Sequence, residues 1–135
     1  MRRLYLSEET EQIALIQWCK YHPILKHYLI AIPNGGWRHK VTAVKLKRQG
    51  VKAGVSDLFL AYPVAPYHGA WLELKRAKPA TSHLSAAQKD WIELMEHIKF
   101  KCYVAYGWVA AKDCLLEYLN EERSDSQGIT GETRD

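Results

Sequence analysis

The chain reads as a single α/β domain, a mixed β-sheet flanked by helices in the order αβαββαβα, and three observations predict it. Val55–Leu60 and Trp71–Lys75 are short, mostly apolar runs separated by the Pro- and Gly-broken stretch Tyr62–Gly69, the pattern of two sheet strands. Helical periodicity flanks that pair on both sides. At 135 residues and 47% hydrophobic content, the chain can bury one core but not two ordinary domains.

Taken in order, Ser7 is a plausible N-cap for a helix to about Tyr21, and Glu8, Glu9 and Glu11 suit its dipole. Ile13, Leu15, Ile16, Trp18 and Cys19 give that helix a broad apolar face. Pro23 ends it, His22–Leu25 reads as a connection, and Tyr28–Ile32 reads as a strand. Pro33-Asn34-Gly35-Gly36 is a turn signal. A basic helix, about Lys40 to Gln49, follows and is stopped by Gly50 as a C-terminal cap, with 51–54 leading into the first central strand. Beyond Lys75 come a polar loop to His83 and a helix over Ala86–Lys99 capped by Ser85, its buried side marked by Leu84, Trp91, Ile92, Met95 and Ile98. Cys102–Tyr106 is a strand and Ala110–Leu119 a last helix. The domain spans 1–119, and the polar stretch 120–135 lacks apolar periodicity and is expected to be a disordered tail. There is no internal repeat.

Charge is distributed unevenly. The chain carries 19 basic and 15 acidic residues, net +4, but five of the acids and only two of the arginines fall from Asn120 onward. The body before it is therefore at +7. No acid lies between Glu11 and Asp57, whereas Lys20, Lys26, Arg38, Lys40, Lys45, Lys47, Arg48 and Lys52 all do. A one-sign segment of this kind favours a polyanion such as DNA; a solvated helix face normally mixes both signs. No apolar run approaches the roughly 20 residues of a membrane span, and the first residues hold no signal-peptide core. Cys19, Cys102 and Cys114 are odd in number and lack CxxC spacing, which predicts core thiols in a reduced, cytoplasmic setting.

The chemistry gathers at Asp57, Glu73 and Lys75. Alternation along Trp71–Lys75 puts Trp71, Glu73 and Lys75 on one strand face and Leu72 and Leu74 on the other. Charged side chains on a largely apolar strand are costly unless something uses them. Asp57 and Glu73 on neighbouring strands suit a hard cation such as Mg²⁺, which takes one or two carboxylates plus water and phosphate oxygens. Lys75 is placed to hold an attacking water and offset charge on a scissile phosphate. The ordinary alternative is an exposed salt bridge worth about 0–1 kcal/mol; apolar neighbours and the Asp opening the preceding strand tip the balance to a metal-dependent nuclease centre.

Asp57 followed at a distance by Glu73-Leu74-Lys75 resembles the PD-(D/E)XK nuclease signature. Ile32-Pro33-Asn34-Gly35-Gly36, Gly50 with Gly54-Val55-Ser56-Asp57-Leu58, and Ser85-Ala86-Ala87-Gln88 narrow the resemblance to the VRR-NUC branch, from about Glu8 to Leu119. It implies a restriction-endonuclease-like fold and Mg²⁺- or Mn²⁺-dependent hydrolysis of DNA. The small stand-alone members, found in phages and bacteria, are similar to homodimeric Holliday junction resolvases. The resemblance thus implies branched or junction DNA as substrate, a role in DNA repair, and a bacterial or phage-infected cytoplasm. It offers Asp57, Glu73 and the Leu74 backbone carbonyl as metal ligands. One departure is Ser56, where the name-giving signature has Pro, at a loop-like position.

The family also carries an acid on its first helix. Glu11 is the choice, with Leu15 and Trp18 at i+4 and i+7 toward the core, and Glu8 and Glu9 remain alternatives. Each is equally explained as a helix-N-terminal charge. Gln88 lies on the stripe Leu84, Gln88, Trp91, Met95. It either closes a capping box with Ser85 or reaches the site to orient the lysine, a phosphate or a water, two roles that compete for one side chain. Asn34, Gly35, Gly36 and Arg38, with Lys40, Lys45, Arg48 and Lys52, are the expected DNA-backbone contacts, though a tight turn explains the glycines too. Trp37 suits a base or the core, and the six histidines show no ligand spacing. Surface around Tyr62 to Tyr67 is the expected dimer interface. The competing readings are a nicking or restriction-type nuclease and a non-catalytic DNA-binding module.

Overall fold

The computed structural model describes residues 5–33, 40–77 and 83–121. Five helices, α1 (Glu8–Cys19), α2 (Leu25–Tyr28), α3 (Lys40–Arg48), α4 (Ala86–His97) and α5 (Trp108–Tyr118), accompany four strands among them. The strands are β1 (Leu29–Ala31), β2 (Leu58–Leu60), β3 (Ala70–Lys75) and β4 (Lys101–Tyr106), in spatial order β1-β2-β3-β4. β1–β2 and β2–β3 pair antiparallel, while β3–β4 pair in parallel. A parallel pair cannot be joined by a hairpin, so the chain leaves β3, runs through α4 and returns as β4. The mixed sheet between helices is the predicted fold class.

β3 is the central strand and is buried along almost its whole length. Leu72 and Leu74, with Leu58 and Leu60 of β2, turn to one face and are at most 1% exposed. Leu15 and Cys19 of α1 and Ala111 and Leu115 of α5 belong to the same apolar cluster. Each fully buried leucine contributes roughly 1.5–3 kcal/mol of transfer free energy. Trp71, Glu73 and Lys75 take the opposite face, where α4 lies; Trp71 packs edge-on against Trp91 of α4 with ring centroids 5.2 Å apart.

Most end signals act as read. Ser7 caps α1, its hydroxyl accepting the Thr10 N–H at 3.1 Å. Gly50, at φ +100°, closes α3: its own N–H reaches Lys47 O and the Val51 N–H reaches Leu46 O, the paired bonds of a Schellman cap.

Other expectations need correction. The buried stripe of α1 is Glu11, Leu15 and Cys19, and Ile13 is 51% exposed on the opposite side. The connection after Pro23 contains α2, because His22 Nδ1 accepts the N–H groups of Ile24 and Leu25 and starts a turn. His22 Nε2 then donates to Glu121, tying the residue after α5's last turn to the end of α1. Ile98 is 49% exposed, since α4 ends at His97 and Lys99, at φ +68°, turns the chain away. Tyr62 and Tyr67 are half-buried, with Tyr118 Oη donating to the Tyr62 carbonyl. Of the tail predicted over 120–135, residues 122–135 lie outside the described residues. No helix among those described is long and apolar enough to cross a membrane.

Candidate active site

Asp57 sits immediately before β2, and its Oδ2 accepts the backbone N–H of Leu74 at 2.7 Å. That bond ties the entry of β2 to the C-terminal end of β3, next door to Glu73. Glu73 and Lys75 are 3% and 7% exposed, so neither is the solvated pair of an exposed strand. Gln88 reaches them from the first turn of α4. Its Nε2 donates to Glu73 Oε1 at 2.6 Å. Its Oε1 accepts the Ser85 N–H at 2.8 Å and lies 3.5 Å from Lys75 Nζ. Lys75 Nζ is 3.9 Å from Glu73 Oε1. The capping box and the contact with the charged pair were expected to compete. They coexist, because the two ends of the amide do different work.

The loop before Asp57 is fixed by Gly54. Its φ is +86°, and a Cβ there would overlap the Ala87 carbonyl and come within 2.8 Å of the Gln88 nitrogen. The backbone of this loop is therefore laid directly on the turn that carries Gln88. Only glycine tolerates both the conformation and the approach. Ser56, read as loop-like, is buried at 2% exposure beside it.

Glu73 is the electrostatic centre. Its Oε2 is buried and has no hydrogen-bond partner within the described structure. Burial first, and then the negative charge of Asp57, push its carboxyl up to about 7; Lys75 opposes this, Glu8 adds to it and the Asp57 backbone amide eases it. An orphaned carboxylate oxygen in a protein interior is expensive unless a ligand completes it. Among the described residues no group of three His, Cys, Asp and Glu side chains forms a ready-made cage. A pair of carboxylates, one with a spare buried oxygen, nonetheless suits Mg²⁺, which keeps much of its water and binds few protein oxygens.

Glu11, the expected first-helix acid, packs against the start of α5. It is 3% exposed, and its Oε1 accepts the Trp108 N–H at 3.1 Å. Gly107 is the N-cap of α5 and offers no side chain, so Glu11 supplies the cap and suits the dipole of that helix. The acid of α1 whose charge acts on Glu73 is Glu8. Glu9 and Asp57 both line a groove of about 670 Å³ that runs along α1 past Gln12 and Ile16 to Ile32 and Pro33. Glu8 is one of the two alternatives that the sequence offers for the first-helix acid.

Of the expected DNA contacts, Asn34, Gly35, Gly36 and Arg38 lie outside the described residues, as does Trp37. Lys40 opens α3, and Lys45, Arg48 and Lys52 are exposed on it and just after it. Gly54 reads in the sequence as the end of the lead-in and the start of the Gly54–Leu58 run; an isolated glycine just before a strand is the signal for its close approach to α4.

No family model matches the chain, and no curated protein matches it. A solved structure described as "VRR_NUC domain protein" superposes on it with a TM-score of 0.74 at 28% identity, over 87% of this chain and 91% of that one.

Proposed function

The chain carries a VRR-NUC domain, of the PD-(D/E)XK nuclease superfamily, and on that footing we propose that it is a divalent-metal-dependent endonuclease that cuts branched or junction DNA as a homodimer. The observation that carries the reading is Glu73, a buried carboxylate with one oxygen left without a partner among the described residues, beside the charge of Asp57. Asp57 and Glu73 would hold the Mg²⁺ or Mn²⁺, with the Leu74 carbonyl as a further ligand. When bound, such a cation acidifies a water and offsets the charge that grows on a phosphodiester.

The chain's own groups do the rest. Lys75 directs an ammonium to the space beside Glu73, where it steadies the nucleophilic water and the phosphate oxygens. Gln88 holds Glu73 and Lys75 from one amide and so fixes their spacing. Glu8 takes the part of the first-helix acid, and Glu11 supports it from behind by fixing α5 to α1. Lys45, Arg48 and Lys52 meet the DNA backbone, whose affinity then falls steeply with salt. A homodimer follows from the substrate: a junction is cut symmetrically, and one such domain reaches only one strand.

Incubating the purified chain with Mg²⁺ and four-way, flap and linear DNAs tests the reading. Junction cutting that a chelator stops, and that Asp57→Ala and Glu73→Ala remove, is expected. Cutting that survives the chelator and both substitutions would sink the metal site. Equal cutting of linear duplex would replace junction specificity with a nicking or restriction-type activity.

A further inference from the structure

The groove that begins at Asp57 does not end with α1. Gln17 and Lys20 line its far end, and the same two residues line a second concavity of about 560 Å³ together with Trp18, Tyr21 and Trp108. From Glu9 to Lys20 the path follows the helix axis for about 16 Å. Its chemistry changes along the way. The start is acidic, with Glu9 and Asp57; the end has a lysine and three aromatic rings.

The aromatic end is organised. Lys112 of α5 is 6% exposed and sits against both indoles, its Nζ 5.7 Å from the Trp18 ring and 5.8 Å from the Trp108 ring. That shared ammonium holds the two rings, one from each helix, in a fixed relation. Tyr21 stands beside them 90% exposed, an unusual position for so large a ring when nothing covers it. Lys20 is exposed between the aromatic cluster and the Asp57 groove.

We infer that Trp18, Tyr21 and Trp108, with Lys20, form a docking site for an unpaired nucleotide base on a single-stranded segment that continues from the cutting site along α1. This rests on the nuclease reading for its context, and it names the substrate feature that reading leaves open: DNA with unpaired bases close to the scissile phosphate. Two properties favour a nucleic acid strand over other occupants. The groove reaches Asp57 at one end, and Lys20, which lines both concavities, marks the step to the aromatic rings, where a backbone phosphate passes. Bases stack on such rings whatever their identity, because every base presents a π-face.

The test is binding without cutting. With a chelator present, a fluorescent oligothymidylate and a blunt duplex of the same length are titrated with the unaltered chain and with Tyr21→Ala, whose exposed ring can be lost without harm to the core. Loss of one stacked base is expected to weaken oligothymidylate binding at least about 5-fold and to leave the duplex within twofold. Trp108→Leu, checked by thermal melting, is expected to do the same. Unchanged oligothymidylate affinity in Tyr21→Ala, or an equal loss on both DNAs, overturns the site. Conversion of a dimer to a monomer by Tyr21→Ala in light scattering also overturns it, by assigning the face to a second copy. Tyr21-dependent binding by a chain that cuts no DNA supports the docking site and rejects the nuclease reading instead.

Discussion

Glu11 and Glu73 are the same residue type at the same 3% exposure, yet they stand in opposite situations. At the junction of α1 and α5, the Glu11 carboxylate accepts the first free N–H of α5 and closes a helix end. At the junction of β3 and α4, Glu73 has one oxygen on Gln88 and the other without a partner among the described residues, with Asp57 raising the cost of its charge. Burial alone does not distinguish a structural acid from a functional one. What distinguishes them is whether the fold itself completes the carboxylate.

The sharpest way to break that contrast is activity. Asp57→Ala and Glu73→Ala should each lower DNA cutting on the order of 10²–10³-fold, while Glu11→Ala should leave the rate per folded molecule within a few-fold. Glu11→Ala protein that is folded but inert would return Glu11 to the catalytic role expected of it from the sequence.

Next in size is a pH effect on stability without metal. The folded carboxyl of Glu73 titrates at about 7, above its ordinary 4.5, so the fold retains a proton that the unfolded chain releases. This contribution is complete below about 4.5 and is lost as pH rises through 7. Urea unfolding in a chelator should therefore show the domain weakening from pH 5 to 8. At about 1.4 kcal/mol per pH unit the whole effect is at most about 3 kcal/mol. Glu73→Gln should flatten the slope and be the more stable protein at pH 8. A Gln variant that is less stable there would mean that the fold already satisfies the carboxylate.

Gly54→Ala comes third. It strains a left-handed residue and pushes the Ala87 carbonyl, which should cost about 1–3 kcal/mol in the same assay. Because the displaced turn carries Gln88, cutting should fall as well at temperatures where the protein stays folded. The smallest effect is the stability lost in Glu11→Ala, about 0.5–2 kcal/mol for an N-cap, read as a lower denaturation midpoint with unchanged slope.

The residues that were legible in the sequence are those whose signals are local. Ser7, Gly50 and Ser85 end helices by rules that need only a few neighbours, and all three act as read. The strand pair around Asp57 and Glu73 could be seen because period-two patterning and a Pro-rich break are local too. Glu11 was harder. Its i+4 and i+7 neighbours say that it points inward, but the core has two sides, and only the packing of α5 decides which one it meets. Gly54 depends on a turn more than thirty positions away, and the double duty of Gln88 depends on Glu73, 15 positions away across the connection from β3 to α4. His22 is similar: its partner, Glu121, lies 99 positions away.

Helix α3 is the element least supported by the rest of the fold. Of its described side chains only Leu46 is half-buried, while Val44, Lys45, Lys47 and Arg48 face solvent. A nine-residue helix in water is below the length at which helices hold themselves. Its amide hydrogens should thus exchange with solvent orders of magnitude faster than those of β3, even in fully native protein. Hydrogen–deuterium exchange gives the basic helix a signal of its own, one that slows when a polyanion settles on Lys45 and Arg48 and stays fast when the partner binds elsewhere.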